Sequence, residues 1–116
     1  SRLWGDEGRI RILRLLEREE LSVAELQEIL GMGQSRISMQ LSQLKTAGLI
    51  DVRRLGQKSL YRLTATDAIM TEVLRRSGAE VSAASQDDEA LRLILRKRKD
   101  KLRGYFDELA GRFGRN

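Results

Sequence analysis

Residues 31–50 read GMGQSRISMQLSQLKTAGLI, and they carry the most informative pattern in the chain. A helix over residues 34–46 places Ile37, Leu41 and Leu44 on one narrow apolar stripe, because these positions recur at i, i+4 and i+7. The opposite side is small and polar, and it carries Ser35, Ser38, Met39, Ser42 and Thr46, flanked by Arg36 and Gln43. Such a side lets the backbone approach a large partner closely, as a helix in a DNA major groove must.

The segments around this helix form an ordered set of elements. Ser22 and Glu25 have the spacing of a capping box, which predicts a helix over 23–30 that leads into a tight turn at 31–33. Two alternating segments, 49–52 and 59–63, predict the strands of a hairpin. The predicted fold is mainly α with a small β-hairpin (α+β), a winged helix-turn-helix with a long C-terminal helix.

Two surfaces are candidate DNA contacts in this fold. The polar side of residues 34–46 is predicted to face bases, and the hairpin cations Arg53, Arg54, Lys58 and Arg62 are predicted to contact the DNA backbone. Each surface has a structural alternative, because a serine-rich side is also typical of a solvated helix and a basic hairpin also discourages strand aggregation. The presence of both surfaces in one small unit favours DNA.

Residues 6–63 resemble the ArsR/SmtB winged-helix repressors, chiefly through RIRILRLL at 9–16, LSVAEL at 21–26, QSRIS at 34–38, AGLI at 47–50 and YRL at 61–63. The resemblance implies a homodimeric regulator of transcription that binds a near-palindromic operator. The resemblance also implies that the base-facing positions on this helix are Gln34, Ser35, Arg36, Ser38 and Met39, with Ser42 on the same side. Met39-Gln40 departs from the family pattern, where Arg-His is common, so the operator sequence stays open.

The composition excludes several other classes of function. The 116 residues carry a net charge of +5, which favours a polyanionic partner such as double-stranded DNA. Cysteine and histidine are both missing, which removes disulfides, thiolate nucleophiles, imidazole acid-base catalysis and the usual soft-metal ligands. No membrane span or secretory signal is recognisable, so we expect a cytoplasmic protein. Because the 116 residues offer no catalytic constellation and lack cysteine and histidine, we expect them to form no enzyme, with no cofactor and no metal site. The effector is not identifiable.

The C-terminal half is predicted to be helical. We divide the chain into a DNA-binding domain at 1–77, a linker at 78–86, and a long helix at 87–116. This helix either dimerises or leads into a further domain. Apolar residues recur along one side of this helix, interrupted by Arg98, and this side is predicted to pair with a second subunit. Its residues are Leu91, Leu95, Leu102, Tyr105 and Leu109, and Trp4 is predicted to contribute to the same interface. The basic run at 96–103 is either a solvated face or a DNA contact.

A second resemblance concerns residues 104–116, GYFDELAGRFGRN. They are similar to the segment that joins such winged helices to an S-adenosylmethionine-dependent methyltransferase domain. An accessory role beside such an enzyme is therefore the alternative function, and a winged helix that binds only proteins is a third. Within the 116 residues no catalytic constellation is recognisable. The acidic pair Asp87-Asp88 is explained by the start of a helix.

Overall fold

The computed structural model describes residues 2–64 and 67–114, with side chains described from residue 7 onward. Within these residues the chain forms five helices and one antiparallel hairpin. Their bounds are α1 Arg2–Arg18, α2 Val23–Leu30, α3 Gln34–Thr46, β1 Ile50–Leu55, β2 Lys58–Leu63, α4 Ala68–Ala79 and α5 Ala84–Phe113. The predicted fold class is confirmed.

Helix α2 begins and ends where its local signals predicted. The Ser22 hydroxyl accepts a hydrogen bond from the Glu25 backbone N–H at 3.2 Å, and the Glu25 carboxylate accepts one from the Ser22 backbone N–H at 3.0 Å. The capping box is thus confirmed. Gly31 ends the helix in the left-handed region with φ of 67°, a conformation that glycine adopts without steric cost.

The core lies where α1, α2 and α3 meet the hairpin and the first turns of α5. The predicted stripe of α3 is buried in it: Ile37, Leu41 and Leu44 are at most 4% exposed. They pack in one cluster with the apolar side chains of α1, including Ile12 and Leu15. Because the core covers one side of α3, the opposite side of that helix is left at the surface.

The hairpin is longer than predicted, with six residues in each strand. Its register pairs Ile50 with Leu63 and Leu55 with Lys58. Along β2 the residues Tyr61 and Leu63 alternate with Leu60 and Arg62, a pattern that predicts Leu60 on the outer side; Leu60 is only 8% exposed, so that prediction is wrong. A backbone bridge between Leu21 and Tyr61 joins β2 to the segment between α1 and α2, with N···O distances of 3.1 and 2.9 Å.

The predicted linker at 78–86 is mostly helical. Helix α4 extends to Ala79 and α5 begins at Ala84, so the connection between them is short. Asp87, Leu91 and Ile94 are buried, and the first half of α5 packs on α1 and α2. Tertiary packing therefore extends both helices through a segment whose small residues had suggested a linker.

The predicted dimerisation residues whose side chains are described fall into three groups. Leu91 is 1% exposed and fills the core of its own protomer, which corrects its placement on a seam between subunits. Leu95 is half-buried against the same core. Leu102 and Tyr105 are more than half exposed and Leu109 is half-buried, all beyond the packed part of α5. The side chain of Trp4 lies outside the described residues.

Acidic residues at the start of α5 bind arginines of α1. Both oxygens of the buried Asp87 carboxylate accept hydrogen bonds from Arg11, at 2.8 and 2.9 Å. Asp88 pairs with Arg14 and Arg18 at 3.4 and 3.1 Å. The sequence explains these carboxylates by the start of a helix alone. The structure shows that they also bind α5 to α1. The Asp87 hydrogen bonds raise the pKa of Arg11 above its ordinary value.

The helices of the described residues do not meet the requirements of a membrane span. Across residues 2–64 and 67–114, none of them combines the length and the apolar character that a crossing needs.

Candidate nucleic-acid interface

The polar side of α3 is exposed along its whole length. All six residues predicted to face bases lie at the surface, on the side opposite the buried stripe: Gln34, Ser35, Arg36, Ser38, Met39 and Ser42. Met39 is 54% exposed and contributes an apolar thioether to this otherwise polar side. Arg36 has no hydrogen bond or ion pair with any described residue. Its guanidinium is therefore available to an external acceptor.

The two residues that depart from the family pattern face opposite ways. Met39 lies on the exposed side, but Gln40 is 3% exposed and packs against Gly8 of α1. A Cβ atom at Gly8 would lie 2.8 Å from Gln40 Nε2, so the glycine makes room for the buried amide. The departure at Gln40 thus concerns the packing of α3 on α1, and only Met39 changes the exposed side.

Gln43 lies at the edge of the exposed side, next to α1. Arg9 Nη2 donates a hydrogen bond to Gln43 Oε1 at 2.6 Å. Since a guanidinium only donates, it selects the oxygen end of the amide, and the Nε2 donors of Gln43 point away from Arg9. Sequence reasoning placed Gln43 on the flank of α3 but gave it no role; its contact with Arg9 joins residues 34 positions apart.

The N-terminus of α3 is uncapped by a side chain. Gly33 precedes the helix in an extended conformation, and the first turn contains no acidic residue. The first backbone N–H groups of a helix lack partners inside the helix and carry its positive dipole end, so they favour anions. This end of α3 is adjacent to Arg36, so the two features reinforce each other.

The four hairpin cations are not equivalent. Arg53 donates two hydrogen bonds to Glu20, at 2.7 and 2.9 Å, and Arg62 pairs with its cross-strand neighbour Asp51 at 3.2 Å. Arg54 and Lys58 are exposed, and neither has a hydrogen bond or ion pair within the described residues. The predicted set of backbone contacts therefore divides into two engaged cations and two that are open to an external anion.

Glu20 is the residue that sequence reasoning missed in this region. It lies between α1 and α2, and the hydrogen bonds from Arg53 hold the pKa of its carboxyl below the ordinary value. The same contact raises the pKa of Arg53. No sequence signal reveals this pair, because its members are 33 positions apart in different elements.

Two cations of the basic run of α5 bind residues of α2. Arg98 donates to both oxygens of Glu25, at 2.6 and 2.8 Å, and Lys97 pairs with Glu28 at 3.0 Å. Burial raises the pKa of Glu25, but the hydrogen bonds from Arg98 and Ser22 outweigh it and leave that pKa lowered. Two cations of this run thus attach α5 to α2 rather than extending the exposed basic surface.

The described part of the chain offers no cluster of three or more metal-ligating His, Cys, Asp or Glu side chains.

The helix pair α2–α3, the hairpin and the exposed side of α3 together define a winged helix-turn-helix protein of the kind that regulates transcription. The sequence family described as "Bacterial regulatory protein, arsR family" matches residues 6–52. This chain belongs to that family, which confirms the resemblance seen in the sequence.

Individual relatives agree with this assignment. The transcriptional activator HlyU of Vibrio cholerae is 39% identical over 72 residues, which cover 61% of this chain and 67% of HlyU. The structure of reduced HlyU matches with a TM-score of 0.54 and 38% identity, over 60% of this chain and 74% of that chain. The arsenic resistance regulator ArsR1 of Pseudomonas putida is 35% identical over 89 residues, covering 76% of this chain and 70% of ArsR1.

A further solved structure is Mb0332 of Mycobacterium bovis, described as a homodimeric winged helix-turn-helix DNA-binding domain. It matches with a TM-score of 0.53 and 26% identity, over 66% of this chain and 68% of that one. These relatives are described as regulators or DNA-binding domains rather than enzymes. The methyltransferase alternative gains no support from them.

Proposed function

We propose that the protein is a homodimeric transcriptional repressor that binds a near-palindromic DNA operator in the cytoplasm. One observation carries the proposal: the exposed polar side of α3 lies in the same winged unit as Arg54 and Lys58, two hairpin cations without a partner among the described residues. A major groove admits an α-helix, and the flanking phosphates need positive charge within reach. The arrangement meets both requirements with residues from one small unit.

Base contacts come from the N-terminal half of α3. Arg36 offers the bidentate donor pair that recognises guanine O6 and N7, and Met39 offers an apolar contact for a thymine methyl group. Ser35, Ser38 and Ser42 add hydroxyls that donate or accept. Gln34 lies in the first turn, close to the uncapped N-terminus, where a phosphate is also favoured.

Phosphate contacts come chiefly from the hairpin. Arg54 and Lys58 make direct contacts, whereas Arg53 and Arg62 add positive potential from their positions beside Glu20 and Asp51. Each phosphate neutralised by a cation releases condensed counterions, so the affinity falls steeply as salt rises. The salt dependence of binding therefore reports the number of cations used.

Dimerisation occurs through the distal part of α5. Beyond Arg98 this helix exposes an apolar side formed by Leu102, Tyr105, Phe106, Leu109 and Phe113, which recur at helical spacing. Large exposed apolar patches on small proteins mark interaction sites. The homodimeric state of Mb0332 supports a second copy as the partner. Two α3 helices then enter successive major grooves about 34 Å apart.

Repression follows from the geometry of a bound dimer. A dimer that spans two successive grooves covers promoter DNA wherever its operator overlaps the promoter. The missing cysteines and histidines imply that an inducer acts without thiolate or imidazole ligands from this chain.

The test is selection of duplexes by the purified chain from a random library of 30-base-pair DNA, followed by fluorescence anisotropy with the recovered duplex. We expect a recovered sequence with two related half-sites, bound about 1,000-fold more tightly than unrelated DNA. Arg36→Ala and Ser38→Ala weaken that binding by about tenfold each, because each removes a base contact worth about 1–3 kcal/mol.

Matched controls come from exposed residues outside the interface. Arg76→Ala and Ser82→Ala remove the same chemical groups and leave the affinity within about twofold of wild type. Circular dichroism checks that each variant keeps its helical content. Unchanged affinity in Arg36→Ala and Ser38→Ala, or a selection that recovers no sequence, contradicts the proposal.

A further inference from the structure

The segment between α1 and α2 is a junction that contacts three other elements. The Glu20 carboxylate accepts two hydrogen bonds from Arg53 of β1. Leu21, the next residue, pairs through its backbone with Tyr61 of β2. The Glu20 backbone carbonyl accepts a hydrogen bond from Arg98 Nη2 of α5 at 2.8 Å. Both strands of the hairpin and the C-terminal helix thus meet at two adjacent residues.

Arg98 is the only residue of α5, among those described, that hydrogen-bonds to this junction. The same guanidinium binds Glu25 through two hydrogen bonds and lies 3.6 Å from Glu19. The carboxylate of Glu25 in turn caps α2 by accepting from the Ser22 backbone N–H. One side chain therefore binds the junction at Glu19 and Glu20 and the first turn of α2 at Glu25, on both sides of the point where the hairpin is attached.

We infer that Arg98 is a positioning residue for the hairpin: it fixes the place of Arg54 and Lys58 on DNA although it contacts no DNA itself. The inference depends on the proposed function only for the effect of Arg98 on DNA binding, because the contacts of Arg98 at the junction form without DNA. A planar guanidinium suits this task because its fork of donors binds Glu25 and the Glu20 carbonyl at once. A lysine ammonium is a compact point charge whose donors all lie on one nitrogen.

The first test needs no DNA and uses hydrogen exchange of backbone amides. In Arg98→Met we expect the Leu21 and Tyr61 amides to exchange about tenfold faster than in wild type, because the bridge opens more often when the junction loosens. Arg98→Lys gives an intermediate increase. Arg92→Met is the matched control, since Arg92 lies on the same helix and pairs with Glu89 of that helix. Equal exchange in Arg98→Met and Arg92→Met overturns the inference.

The second test is a double-mutant cycle on DNA affinity, with the duplex recovered by selection as the probe. In the wild-type background Arg54→Met weakens binding by about tenfold, and in the Arg98→Met background by about threefold or less, because a displaced hairpin no longer uses Arg54. The same cycle with Arg92→Met is additive. If Arg98→Met does not fold, Arg98→Lys takes its place in both tests.

The outcomes separate the two claims. Additive effects of Arg98 and Arg54 overturn the inference, because a residue that merely stabilises the fold does not change what Arg54 contributes. Failure of the selection to recover a duplex contradicts the proposed function alone, and the exchange experiment then still decides the role of Arg98.

Discussion

The two halves of α5 are one continuous helix with opposite surroundings. In the half from Ala84 to Arg98, charged side chains pair with α1 and α2, and Leu91 and Ile94 lie in the core. In the half from residue 99 onward, no described residue is buried, and the ion pairs that reach it lie within α5 itself. The comparison shows that helical continuity does not define a folding unit; contacts with other elements do.

The largest effect should come from Asp87 in the proximal half. Asp87→Ala should lower the free energy of unfolding by about 3–5 kcal/mol, because it leaves Arg11 with a partly buried charge and no carboxylate. Urea denaturation measures the change. Glu108→Ala in the distal half removes only an exposed intrahelical pair and should cost less than about 0.5 kcal/mol. Equal costs for the two variants would remove the distinction between the halves.

Leu91 and Leu102 are a matched pair of leucines, one in each half of α5. Leu91→Ala should cost about 2–5 kcal/mol of unfolding free energy, since it opens a cavity in the protomer core. Leu102→Ala should leave the stability of the protomer nearly unchanged because Leu102 is 56% exposed. Urea denaturation at a protein concentration below the dimer dissociation constant makes this measurement. A large loss in Leu102→Ala there would mean that the distal half packs on its own protomer.

Helices α2 and α3 have the bounds that the sequence predicted, because the signals that define them are local. Helix α2 has a capping box at Ser22 and a left-handed glycine at Gly31, and α3 has a single apolar stripe. The exposure of the polar side of α3 follows from the same stripe. Longer-range contacts were not predictable. Arg53 binds Glu20 and Arg98 binds Glu25, and nothing in the sequence reveals which carboxylate each of the many arginines selects.

The distal half also makes a prediction about assembly. Tyr105→Ser should raise the dimer dissociation constant by about tenfold, because an aromatic side chain in the centre of an apolar interface contributes strongly to affinity. Sedimentation equilibrium measures the change. Arg92→Met, on an exposed side of the proximal half, should leave the constant unaltered. A dimer that resists Tyr105→Ser would place the interface elsewhere.

The smallest effect concerns pH and the proximal contact of Arg98. The pKa of Glu25 is lowered in the folded protein, so its stabilisation is fully present above the unfolded pKa near 4.5 and is lost as pH falls through the folded pKa. At pH 7 Glu25→Gln should cost about 1–2 kcal/mol. That difference should shrink as pH falls below 4.5. Urea denaturation across this window tests it, with Glu108→Gln as the control; a difference that stays constant contradicts it.

The most direct test of the interface is NMR of the ¹⁵N-labelled chain titrated with the duplex recovered by selection. We expect the largest changes in amide chemical shift in residues 34–46 of α3 and residues 54–58 of the hairpin, with little change at 99–113. Large changes confined to the basic distal half of α5, with α3 unaffected, would contradict the claim that the exposed side of α3 binds DNA.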